Sequence, residues 1–147
     1  MLKGKGPGGS LPGGFCWTQY SFHGILQTCR GRLNTTPEFE AWWDKLLEEE
    51  QDEIDTVVEL LQERGPTLAR PYADVITSSR HPNMKELRGK VGARQLRVLF
   101  AFDPRRAALL LIGGDKTGDP KWYERFVPIA DDLFDRHLAR IGKKYLN

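Results

Sequence analysis

The sequence predicts an α+β fold: a small twisted antiparallel sheet with two N-terminal helices and a C-terminal helix packed on one face. Three observations predict it. Two apolar stripes at helical spacing occupy residues 37–64, and a third follows residue 119. Between them lie three strand-like runs. The links joining those runs are too short for crossovers, so the runs pair antiparallel.

The elements follow in order. Residues 1–34 form a flexible or poorly patterned segment, rich in Gly and Pro at its start. An edge strand is expected between Phe15 and Leu33. Residues 35–147 form the folded domain. Thr36–Pro37 reads as a helix entrance, with acids near the positive helix end. Phe39, Trp42, Trp43, Leu46 and Leu47 make one apolar stripe. Ile54, Val57, Val58 and Leu61 make a second, with "EEEQDE" as the expected connector. Gly65–Pro66 ends this pair. Residues 66–82 are expected as a loop fixed by three prolines. Strands are expected at about 83–89, 94–103 and 107–114, with "DPRR" as a tight turn. Asp119 and Pro120 open the last helix, which Pro128 should kink or restart.

Composition narrows the function classes. Cys16 and Cys29 match no paired metal spacing and read as reduced thiols. The front end lacks the apolar core of a signal peptide. No apolar run approaches the roughly 18 residues of a membrane span, so a soluble cytoplasmic protein is expected. "GGDKTG" lacks the full phosphate-loop pattern. No His/Cys cluster supports a zinc nuclease, and no cofactor is implied. The net charge of +2 hides a strong polarity. Residues 36–64 carry eleven acids and two bases, whereas residues 65–118 carry ten bases and four acids. An acidic front half before a basic centre suggests two different partners. It equally fits a solvated acidic helix beside a solvated basic sheet edge.

Side chains alternate along a strand. In "QLRVLFAF", the even positions Leu96, Val98, Phe100 and Phe102 are apolar and must face the helices. Arg97 then points to the open, hydrated face. Lys85 and Lys116 are expected beside it, with Arg88 and Tyr123 near. Cations and one phenol on a sheet suit a phosphodiester, hence an RNA-binding or RNA-cleaving face. Arg80, His81, Lys90 and Arg94 extend the candidate RNA-binding surface. His81 also fits a polar loop residue, and His137 an exposed helix surface. The same pattern fits scattered solvated charges.

The blocks "EFEAWWDKL", "ERGPTLARPYADVI", "SSRHPNMKELR", "RVLFAFDPRRAALLLIGGDK" and "WYERFVPIADDLFDRHL" together resemble the HigB branch of the RelE/ParE toxin superfamily. That branch includes relatives described as phage-derived Gp49-like proteins. The resemblance covers about residues 37–140. It implies a RelE-like fold and the toxin of a type II toxin–antitoxin system. The implied activity is a metal-independent endoribonuclease that cuts mRNA on the ribosome and stops translation. The implied partners are the ribosome, mRNA and a cognate helix-turn-helix antitoxin. By position, Lys85, Arg88, Arg97 and Lys116 match the family's basic centre. Tyr123 lies one residue from its late tyrosine. Lys85 is then the expected general base, Arg88 and Arg97 stabilise the phosphorane, and Lys116 or Tyr123 protonates the leaving oxygen. Two other readings share the fold: a ParE-like, non-enzymatic inhibitor of DNA gyrase, and an inactive remnant that binds only its antitoxin.

Overall fold

A computed structural model describes residues 32–146. The chain runs β1 (Leu33–Thr35), α1 (Pro37–Asp44), α2 (Glu48–Arg64), a 3-10 turn (Gly65–Thr67), β2 (Ala73–Val75), β3 (Lys85–Val91), β4 (Arg94–Phe102), β5 (Ala108–Asp115) and α3 (Trp122–Leu146). The strand order is β1-β5-β4-β3-β2. Most of the segment expected to hold the edge strand lies outside the described residues, as do Cys16, His23 and Cys29. No helix among the described residues is long and apolar enough to cross a membrane.

Local chemistry fixes the helix entrances. Thr36 Oγ1 accepts from the Phe39 amide at 3.0 Å and donates to the Leu111 carbonyl at 2.6 Å. The start of α1 is thereby tied to β5. "EEEQDE" is not the connector. It lies within α2, and its first glutamates complement the positive end of that helix. The true link is Lys45–Leu47, and the Leu47 amide donates to Glu50 Oε1 at 2.9 Å. Gly65 closes α2 with φ of 59°, a conformation that suits glycine. The last helix runs through Pro128 without restarting.

The α+β class and RelE-like layout hold. The sheet is mixed, because β1 pairs in parallel with β5, Leu33 opposite Ala108. The other pairings are antiparallel. β2 is an additional strand inside the expected loop; three residues flanked by prolines carry too little alternation to show in sequence.

Two apolar cores occupy opposite faces. Leu96, Val98 and Phe100 of β4 join Phe39, Trp43, Ile54, Val58 and Leu61 of α1 and α2. Leu99 and Ala101 join Trp122, Val127, Ala130 and Phe134 of α3. The C-terminal helix therefore lies opposite the two N-terminal helices, and part of the expected open face is covered. The bulge that shifts β4–β5 register after Leu99 puts Leu109 and Leu111 under α3 and Leu110 under α1 and α2. The pair Gly113–Gly114 serves both faces. A Cβ at Gly113 would overlap the Trp42 ring of α1, and one at Gly114 would lie 2.6 Å from Trp122 Nε1.

His137 is buried, not an exposed helix residue. Its Nε2 lies 2.8 Å from Oδ2 of buried Asp103, which also accepts from Arg105 and from the Ala107 amide. Burial pushes the Asp103 carboxyl up. Hydrogen bonds from His137, Arg105 and Ala107 outweigh that effect and hold it below the usual carboxylate range. A depressed folded pKa contributes stability above the unfolded value, lost as pH falls through the folded one. The denaturant midpoint should drop as pH falls below about 4, the ordinary carboxylate range. Asp103→Asn should flatten that dependence. Identical acid slopes in the two proteins would remove Asp103 from this role.

Candidate active site

The site grows from the register of β3 on β4. Arg88 stands directly opposite Arg97, and Glu86 opposite Leu99. Two like charges facing each other across strands repel unless a counter-charge lies between them. Glu86 supplies it. Its carboxylate is 3.5 Å from Arg97 Nε and 3.9 Å from Arg88 Nε. The Tyr123 hydroxyl, on the first turn of α3, donates to Glu86 Oε1 at 2.7 Å. Arg97 Nη1 donates to the Leu96 carbonyl at 2.9 Å. Lys116 follows β5, and its ammonium sits 5.8 Å from the Tyr123 ring centroid.

Arg97 is not hydrated as expected. Its side chain is only 6% exposed, and that of Glu86 only 7%. The reason is that α3 covers this face as far as Trp122, which presses on Gly114, the β5 residue opposite Arg97. Arg88 stays half-buried at the edge of that cover. A pocket of about 470 Å³ opens there, lined by Tyr72, Arg88, Lys90, Gln95, Arg97 and Glu53 among others. Burial raises the Tyr123 phenol, the hydrogen bond to Glu86 and its charge raise it further, and Arg97 pulls the other way. The net shift is upward, so the phenol remains a proton donor across the neutral range.

The expected site residues divide into two sets. Arg88, Arg97, Lys116 and Tyr123 converge, and Lys90 lines the adjoining pocket. Lys85 does not join them. It shares the face of buried Leu87, toward α1 and α2, and its Nζ donates to the Pro66 carbonyl at 2.9 Å. Arg80 is bound by Asp131, Asp132 and Asp135 of α3. His81 Nε2 lies 2.7 Å from Asp135 and its ring meets the Phe134 edge. Arg94 pairs with Glu50 and Asp115. These three side chains clamp loops and helices onto the sheet. Glu86, Tyr72 and Gln95 were not singled out by sequence reasoning. A buried arginine demands a counter-ion on its own face, and that requirement points to Glu86.

The pair sets an energetic test. Glu86→Ala leaves the Arg97 charge buried and unpaired, which should destabilise the fold by about 3–5 kcal/mol. Glu86→Leu combined with Arg97→Met removes both charges and should recover most of that loss. Urea unfolding of the single and double variants measures both. A double variant as unstable as Glu86→Ala would show that the lost packing, not the orphaned charge, sets the cost.

Comparison with known proteins fits this geometry. The family model described as phage derived protein Gp49-like (DUF891) matches residues 41–135, which include much of both cores together with Glu86, Arg88, Arg97, Lys116 and Tyr123. Two proteins of Mycobacterium tuberculosis, named as candidate toxins HigB2 and HigB3, are each 43% identical to this chain. The match to HigB2 covers 68% of this chain and 51% of the relative, so the chain spans about half of that protein's length. The match to HigB3 covers 70% of this chain and 90% of the relative. The chain belongs to the phage-derived Gp49-like family, alongside these HigB-like relatives.

Proposed function

We propose that this protein is the toxin of a type II toxin–antitoxin system and an endoribonuclease that cuts mRNA on the ribosome. One observation supports the reading: Arg88 and Arg97 line one pocket and converge on Glu86, to which the Tyr123 phenol donates. The relatives named HigB2 and HigB3 support the toxin role.

The positions support the following chemistry. The ribose 2′-oxygen attacks the neighbouring phosphorus, and negative charge grows on the phosphorane oxygens. Arg88 and Arg97 are donors already fixed in place, so they stabilise that charge without reorganising. Tyr123 gives its proton to the departing 5′-oxygen, leaving a 2′,3′-cyclic phosphate. Lys116 beside the ring offsets the phenolate that forms. The 2′-hydroxyl proton needs a base. Lys85 faces away from the pocket, and Glu86 is engaged by Tyr123 and both arginines. The base then comes from outside this group, which gives a physical reason for dependence on the ribosome. A small helix-turn-helix antitoxin is the expected neutralising partner.

Primer extension on mRNA in a purified translation system tests the assignment. Arg97→Ala and Arg88→Ala should each lower the cleavage rate by about 10²–10³, the usual cost of one preorganised donor. Tyr123→Phe should lose about 10²–10⁴. Lys85→Ala should stay near wild type. Intact mRNA with lost gyrase supercoiling would instead support the ParE-like reading.

A further inference from the structure

The pocket holds more than a phosphate needs. Beyond the two arginines it is lined by Tyr72, a residue 36% exposed just before β2. Its backbone is held by hydrogen bonds on both sides. The Tyr72 amide donates to the Ala69 carbonyl at 3.0 Å, and its own carbonyl accepts from the Arg88 amide at 2.8 Å. Tyr72 is thus tied to the same residue that grips the phosphate. The Arg64 guanidinium lies 5.8 Å from the ring centroid and is not part of the pocket lining, so it backs the ring from outside. The lining also includes Gln95 and Lys90, paired across β3 and β4 two residues along from Arg88 and Arg97 and hence on the same sheet face. Glu53 also lines the pocket, where its Oε2 accepts from the Lys90 amide at 3.0 Å. Its charge disfavours a second phosphate and leaves that end to an uncharged group.

We propose that Tyr72 is the platform on which an unpaired nucleobase of the RNA stacks, next to the phosphate held by Arg88 and Arg97, with the Gln95 amide and the Lys90 ammonium at the base edge. The inference rests on the reading of RNA as the ligand. A ring carried on a hydrogen-bonded backbone, with a cation 5.8 Å from its centroid, loses less freedom when a base arrives than one on a mobile loop, so more of the stacking energy shows as binding. Because every base has a π-face, Tyr72 sets the register of the strand, and Gln95, which both donates and accepts, sets which base is preferred. An aromatic platform beside a cationic backbone grip favours single-stranded RNA over a duplex, whose bases stay stacked on one another.

The test uses fluorescence anisotropy with a labelled single-stranded RNA of six nucleotides, its riboses 2′-O-methylated to block cleavage, on the full chain. Tyr72→Leu, which keeps the apolar bulk, should weaken binding by roughly ten- to a hundredfold. Tyr72→Trp should hold or improve it. Replacing single nucleotides by abasic ones should erase the difference between wild type and Tyr72→Leu at one position of the RNA. If Tyr72→Leu binds as wild type does while Arg88→Ala loses binding, the platform is overturned and the RNA reading stands. If the wild type binds none of these RNAs, both fall. Equal loss with every abasic position would mean that Tyr72 acts only through the fold, which also overturns the platform.

Discussion

A guanidinium buried in a sheet costs several kcal/mol unless its charge is answered, and Arg97 is answered by Glu86. That single pairing organises the surrounding structure. It requires Glu86 to lie on the same face of the neighbouring strand, which the β3–β4 register provides. It also draws in the Tyr123 hydroxyl, so the first turn of α3 is fixed against the sheet. Because Glu86 neutralises one positive charge and two arginines converge on it, the group keeps an excess of positive charge facing the pocket. In the proposed function, this is an anion site present before any anion arrives.

The rest of the fold holds this arrangement still. Trp42 and Trp122 press on Gly113 and Gly114 from opposite faces, which sets the depth of α1 and α3 on the sheet. In the middle of α3, Asp103 grips His137, and Asp131, Asp132 and Asp135 hold Arg80 and His81. Several basic residues of the central region are thus fasteners. Formal charge alone overstates how much cationic surface is free for a nucleic acid.

The parts of the structure that rest on local pattern were legible in the chain. Thr36–Pro37 caps α1, Gly65 ends α2, and Leu96, Val98 and Phe100 face the N-terminal helices as their alternation requires. What was not legible depends on which face each element covers. Alternation divides a strand into two sides but does not say that α3 packs on the second one, so Arg97 read as hydrated and His137 as exposed. The same gap set Lys85 beside Arg97 when the register sends them to opposite faces. Glu86 was visible as a neighbour of Arg88, yet its importance follows only from the burial of Arg97. β2 and Tyr72 were hidden inside a proline-bounded loop.

The central claim is that Arg88, Arg97 and Tyr123 form one prearranged anion site held by Glu86. The most direct measurement is an NMR titration of the arginine side-chain Nε–H signals with a 2′-O-methylated single-stranded RNA. The Arg88 and Arg97 signals should be sharp in the free protein and shift together on addition, while those of Arg80 and Arg94 stay in place. Movement of Arg80 and Arg94 with Arg88 and Arg97 unmoved would contradict it.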